Sequence, residues 1–287
     1  MPNYRVFHHS TYRFDNWATI SSSRARLLPR DTPNQTTHFS QLVVVPPPTL
    51  KEDTTDLFGN RVTLFSYRSK LARLEVTSIS TVEVRPSAYN VDDLAGISWQ
   101  ASVDAVRSNP SLSKECQAFL ISTLLVDTDS KTICDYAAAS SKAGQSVFDI
   151  VDDLMRRLKL DMAYVKGVTD VHTTAVAALN ATQGVCQDFA HISIACLRSL
   201  GLATRYVCGY HATIKRRSEY EPHAWASVYV PQCGWLDFDP TNNCFCDARY
   251  ITLAWGRDFM DVSPLQGAVD GDVVHTLEAS VEIEELD

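Results

Sequence analysis

No run of apolar residues in this chain approaches the roughly 18 that a membrane-spanning helix needs, although 45% of its 287 residues are hydrophobic. A membrane partner is not expected. Basic residues form no dense stripe either: Lys215-Arg216-Arg217 is short and isolated, and a net charge of -8 repels phosphate backbones. Nucleic acid is set aside on that ground. The opening residues, Met1 to His9, hold no apolar core of signal-peptide length, which predicts a cytoplasmic protein. Internal repeats and low-complexity tracts are lacking as well. Cys244-Phe-Cys246 has no second Cys or His pair at zinc-like spacing, and the remaining histidines, including His172 and His211, show no ligand pattern; neither metal nor cofactor is expected.

What the chain does have is length enough to bury a core without staples. Residues 1-88 read as β: Tyr4 to His8, Gln41 to Val45, Arg61 to Tyr67 and Glu75 to Val84 are alternating or β-branched. Pro46-Pro47-Pro48 interrupts them, and Gly59-Asn60 has the composition of a hairpin turn. An antiparallel, sandwich-like domain is expected there. Residues 89-144 carry more Ala and Ser and suggest a helical connecting segment packed on the core, with a helix near Lys114 to Leu125. From residue 145 to 287 the pattern is that of an α+β core. Val147, Ile150, Val151, Leu154 and Leu158 recur at helical spacing opposite Asp152, Asp153, Arg156 and Arg157. A second, more uniformly apolar helix starts at Cys186 and stops at Gly201. Strands at Thr204 to Tyr210, Ala224 to Val230 and Trp235 to Phe238 follow, and the acidic end from Glu278 reads as a last strand with a solvated tail.

The eight cysteines, without an export signal, are expected to be free thiols, so the question is which one reacts. A thiol attacks only as its thiolate, and a free thiol at about pKa 8.5 supplies little of it at neutral pH. Cys186 follows Gly184-Val185 and opens a predicted helix, where unpaired N–H groups and the helix dipole favour an anion. The same amides can receive the oxyanion of a tetrahedral intermediate. A base and an orienting group must then lie beside it. His223 enters one strand and Asp239 leaves the next, so a simple hairpin sets them side by side, with Trp225, Trp235 and Pro240 as shields. Asp237 lies on the same strand face and competes with Asp239 for the orienting role. His191 sits in the helix for packing or support, and Gln183 and Tyr164 are candidates for a second oxyanion donor.

Three ordered blocks then bring a family into view: Gly184-Val-Cys-Gln-Asp-Phe-Ala-His191, His223-Ala-Trp225, and Gly234-Trp235 through Asp239-Pro240-Thr-Asn242. Together with Leu197-Arg198, Gly201 to Arg205 and Gly209-Tyr210, they resemble the bacterial transglutaminase-like superfamily, whose members are often described as cysteine proteases. His9-x-Thr11-Tyr12, Leu28-Pro29-Arg30 and Asp56-x-x-Gly59-Asn60 resemble its β-rich amino-terminal domain. Gly256-Arg257-Asp258 with Asp261, Pro264 and Gly267 resembles its closing segment. Two positions depart from the pattern, Ala203-Thr204 where Pro-Ala is common and Cys208 where Ser is usual. The resemblance implies a papain-like or transglutaminase-like core, a Cys186, His223, Asp239 triad, and acyl transfer on a peptide or protein substrate. Hydrolysis of a peptide, isopeptide or amide bond is the expected outcome. Amine transfer by a transglutaminase, and a non-catalytic scaffold of the same fold, are the alternatives.

Overall fold

In the computed structural model the described residues are 1–86, 97–212, 221–231, 233–270 and 275–286. The amino-terminal region is built around one long strand, β1 (Asn3–Ala25), with β2 (Gln35–Val45), β3 (Leu50–Thr55), β4 (Arg61–Ser66) and β5 (Leu71–Val84) in the order β2-β5-β1-β4-β3. All pairings are antiparallel, and the register of β1 against β5 shifts between Arg13 and Ala18. Past that shift the second half of β1 pairs with β4, and Ile20, Ala25, Leu42, Val44, Phe65, Leu74 and Val76 fill the space between the two halves of the sheet. The region is β-rich and antiparallel, as the alternation suggests. Pro46 to Pro48 lie between β2 and β3, where no ladder N–H is required. Gly59 has φ +72° and completes the β3-β4 turn, whose Asp56 side chain accepts from the backbone of Phe58 and Asn60.

The helical segment contains α1 (Trp99–Ser108), α2 (Pro110–Cys116), a 3-10 turn at Gln117–Phe119 and α3 (Lys131–Ser140). The helix expected near Lys114 to Leu125 thus lies earlier. Asn109 accepts from the N–H groups of Ser111 and Leu112, and Pro110 fits the first helical position, so the helix starts at 110 and is spent by Phe119. In α4 (Val147–Asp161), Ser146 and Asp149 form a reciprocal capping box, and the face bearing Val147, Ile150, Val151, Leu154 and Leu158 is buried.

Two short parallel strands, β6 (Ala163–Tyr164) and β7 (Gln183–Gly184), flank α5 (Ala175–Ala181) and lead into α6 (Cys186–Ser199). Every residue of α6 from Asp188 to Arg198 is buried, which matches its lack of a polar face. It packs on an antiparallel sheet of order β11-β10-β9-β8-β12, formed by β8 (Thr204–His211), β9 (Pro222–Val230), β10 (Gly234–Asp239), β11 (Cys244–Phe245) and β12 (Tyr250–Gly256). Tyr206, Cys208, Ala224, Ala226, Val228, Leu236 and Phe238 face the helix, and Gly201, at φ +85°, ends it.

After α7 (Phe259–Val262) the chain returns to the first sheet. Strands β13 (Leu265–Asp270) and β14 (His275–Leu286) both pair antiparallel with β1, so residues that read as the tail of the core complete the amino-terminal sheet. Two amide side chains join sheet to core. Gln35 exchanges hydrogen bonds with both backbone groups of Thr252 (2.8 and 2.8 Å), and fully buried Asn60 does the same with Trp255 (2.8 and 2.9 Å). Each amide occupies the free edge of β12 as a further strand would. The Asp56-x-x-Gly59-Asn60 and Leu28-Pro29-Arg30 motifs are therefore docking residues: Asp56 holds Asn60, and Arg30 lies over the Trp255 ring at 3.2 Å. Tyr4, Val6, Val82, Val84, Val281 and Ile283 extend the core of the second unit from the same sheet.

Candidate active site

Cys186 is the first residue of α6, and the local sequence shows why a helix starts there. The Asp188 carboxylate accepts from the Val185 N–H (2.7 Å) and from the Thr169 hydroxyl (2.7 Å), closing the first turn from below. Gly184 is required for this: a Cβ there would lie 2.6 Å from Oδ2 of Asp188 and 2.7 Å from its Cβ. Burial pushes the Asp188 carboxyl above its usual range despite these donors.

His223 is the second residue of β9, opposite Gly209 on β8. A side chain at 209 would strike the carbonyl oxygen of Ile251 at 2.0 Å and the Trp225 ring at 2.5 Å, so glycine lets β8, β9 and β12 close up behind the histidine. Nε2 of His223 meets Oδ2 of Asp239 at 2.6 Å, and the Cys186 side chain lies near enough to the ring to raise its pKa. The three residues named from sequence are thus brought into one row. Asp237, the rival orienting group, does not reach the ring: it faces Arg205.

Asp239 ends β10 and is wholly buried. Its Oδ1 accepts from the backbone N–H groups of Thr241 (2.9 Å) and Asn242 (3.1 Å); Oδ2 accepts from His223, from Nδ2 of Asn242 (2.6 Å) and from the Tyr250 hydroxyl (2.8 Å). Burial works against its charge, but the His223, Tyr250 and Asn242 donors override it and hold the carboxyl below the usual range. Burial likewise opposes charge on His223, and the neighbouring Asp239 and Cys186 outweigh it, lifting the ring to about 10. The site therefore favours an imidazolium beside the sulfur.

Tyr250 was not legible as a site residue, because it arrives from β12 and nothing in its local sequence points to Asp239. Asn242 sits in the Asp-Pro-Thr-Asn block, which offered a signal without a role. The shield also differs in part from expectation. Trp225, fully buried, has its ring 6.2 Å from that of His223, and Tyr250 stacks on His211 at 4.3 Å beside the pair. Trp235 instead packs on Tyr229 and Phe119 near the other end of β10. Burial and the nearby His223 push His211 down to about 4, so it stands neutral.

His191 plays a packing part: Nε2 accepts from the Phe259 N–H (3.2 Å), the ring lies on Tyr206, and burial pushes it down to about 3. Tyr164 is half exposed on β6, paired with Gly184, and its phenol is pushed up to about 12 by burial and then by Cys186. Gln183 enters β7 beside it, paired with Ala163. Among the described residues no three His, Cys, Asp or Glu side chains cluster as metal ligands would, and no helix is long and apolar enough to cross a membrane. All eight cysteines are free thiols.

Comparison with known proteins gives the same frame. Residues 135–240 match the model of the transglutaminase-like superfamily, and residues 4–83 match the bacterial transglutaminase-like N-terminal region. The uncharacterized protein Rv2569c of Mycobacterium tuberculosis is 35% identical over 278 residues, covering 93% of this chain and 87% of that protein. The uncharacterized protein ML0607 of Mycobacterium leprae is 32% identical over 287 residues, covering 98% of each. In fold, the chain is similar to the crystal structure of a "putative cysteine protease" from Cytophaga hutchinsonii, with a TM-score of 0.81 at 21% identity over 100% of this chain and 91% of that one. The chain belongs to the transglutaminase-like superfamily, with that superfamily's bacterial N-terminal region preceding the core.

Proposed function

We propose that the protein is a cysteine acyl-transfer enzyme in which Cys186 attacks an amide carbonyl, His223 moves the proton and Asp239 fixes the ring. The observation that supports it is the single row formed by the first residue of α6, the ring at 223 and the carboxylate at 239, with 2.6 Å between the last two. The thiolate adds to the carbonyl carbon, and N–H groups at the start of α6 receive the oxyanion. Collapse breaks the C–N bond, and the imidazolium gives its proton to the departing amine, leaving a thioester on Cys186. Water then attacks the thioester, His223 takes its proton, and the carboxylic acid departs as the thiolate returns. The favoured reaction is thus hydrolysis of a peptide, isopeptide or amide bond, in the cytoplasm and without a cofactor.

Incubating the wild type and Cys186→Ala with a diverse peptide library plus a fluorescent amine, followed by mass spectrometry, tests this reading. Cleaved or deamidated products formed by the wild type alone support hydrolysis. Amine incorporated into glutamine peptides would replace hydrolysis by transglutamination, and no difference between the two proteins would leave a scaffold.

A further inference from the structure

On the face of the core sheet turned away from α6 lies a cavity of about 730 Å³, within the size range of small-molecule sites. The amino-terminal sheet closes it with Thr32 to Gln35 and Val84-Arg85, and its walls include Tyr229, Trp235, Trp255 and Tyr250. Neither Cys186 nor His223 lines it; it borders their site only through Tyr250, which donates to Asp239.

Arg85, Arg205, Glu115, Asp237 and Asp247 are its charged lining residues, and of the two arginines Arg205 is the buried one. Arg205 on β8 is 6% exposed, and its guanidinium is clamped between two indoles, 4.2 Å from the centre of Trp235 and 3.6 Å from that of Trp255. Stacking fixes the plane of the fork without using its N–H groups. Among the described residues Arg205 makes no hydrogen bond and no ion pair, and Nε is fully buried without a partner. A buried cation is ordinarily satisfied by an acceptor; here the second arginine, Arg30, adds positive charge across Trp255. Asp237 also lines the cavity, with Oδ1 buried and unpartnered. Burial raises its carboxyl, and the facing Arg205 guanidinium works against that rise. An oriented guanidinium without a hydrogen-bond partner, set between aromatic walls, matches one ligand chemistry: a planar carboxylate on a small apolar or aromatic body.

We propose that this cavity is a binding site for a small carboxylic acid, held by Arg205 through its N–H fork with its apolar part against Trp235, Trp255 and Tyr229.

Titration calorimetry and ligand-observed NMR on Cys186→Ala, with phenylacetate as probe and phenylacetamide as its neutral counterpart, test the site apart from any catalysis. Phenylacetate is expected to bind with a dissociation constant between about 10 μM and 1 mM, and phenylacetamide at least tenfold more weakly. Arg205→Lys keeps the charge but loses the fork, and is expected to weaken phenylacetate at least tenfold. Should that variant fail to fold by circular dichroism, Trp235→Leu removes a less buried wall and is expected to weaken binding at least fivefold. No binding of phenylacetate at 10 mM, equal binding of acid and amide, or binding unaffected in the folded variant would each overturn the proposal and leave a water-filled space.

Discussion

Replacing Asp239 by asparagine changes one atom and reverses one hydrogen-bonding role. In the wild type five donors converge on the carboxylate, two backbone N–H groups on Oδ1 and three side-chain donors on Oδ2. The amide oxygen can keep the two backbone donors, but the NH₂ then faces the Asn242 amide, the Tyr250 hydroxyl and Nε2 of His223, all donors. Two consequences follow. Leaving the Asn242 and Tyr250 donors unpaired in a buried site costs roughly 1–3 kcal/mol each, so a stability loss of about 2–5 kcal/mol is expected. The ring at 223 must also present Nε2 as an acceptor, which moves its proton to Nδ1 and removes the partner that raises the ring to about 10. The same reversal in a serine triad lowers turnover by about 10⁴-fold; a loss of at least about 10²-fold is expected here. Iodoacetamide labelling of residue 186, followed peptide by peptide across pH 5 to 11 with folding checked by circular dichroism, reads the effect without knowledge of a substrate. In the wild type the sulfur-imidazolium pair is lost as pH rises through about 10, because a ring whose folded value is raised keeps its stabilising charge below that value and loses it above. In Asp239→Asn that transition is expected to move down by more than one pH unit. A labelling profile that keeps its transition and its rate within twofold would refute the orienting role of Asp239.

Other expectations follow from the same geometry. At pH 6 iodoacetamide is expected to modify Cys186 ahead of Cys116, Cys196, Cys208, Cys233, Cys244 and Cys246, since burial pushes all six of those thiols up; preferential labelling of any one of them would contradict this. Tyr250→Phe removes a single donor from Asp239 and should lower the labelling rate at 186 about three- to tenfold while costing roughly 1 kcal/mol in urea denaturation. Gly209→Ala brings a methyl within 2.0 Å of the Ile251 carbonyl, so a denaturation midpoint unchanged from wild type would show that the close approach of β8 and β12 is wrong. Asn60→Ala strands both backbone groups of Trp255 and is expected to cost about 2–4 kcal/mol by the same assay. His8 is buried and pushed down to about 4, with Nδ1 2.7 Å from the Tyr210 hydroxyl. The unfolded chain takes up its proton first, so stability should fall by roughly 1–3 kcal/mol as pH drops from 6.5 to 4, and less in His8→Gln.

The placement of Cys186, His223 and Asp239 side by side was legible because it is written in local punctuation. A glycine two residues before a cysteine marks a helix start, a histidine entering a β run and an aspartate leaving the next mark a hairpin, and hydrophobic period fixed both elements. The same local rules located the amino-terminal strands and the capping-box helix at 147, because alternation and caps act over a few residues. They misplaced the helix near Lys114, where a single Asn109-Pro110 cap outweighed an ambiguous apolar pattern. What no local rule could reach was settled by packing: the choice of Asp239 over Asp237 depends on which one the hairpin register carries to the ring, and Tyr250 reaches Asp239 only because β12 lies next to β8. The return of β13 and β14 to β1, and the use of Gln35 and Asn60 as substitutes for a strand beside β12, are likewise contacts across some two hundred residues. Sequence determines which short segments are helix or strand and which side chains are chemically apt. The tertiary structure alone decides which of them meet, because pairing partners along β1 and β12 are selected by burial and hydrogen-bond satisfaction between distant segments, and neither leaves a trace in the neighbours of any one residue.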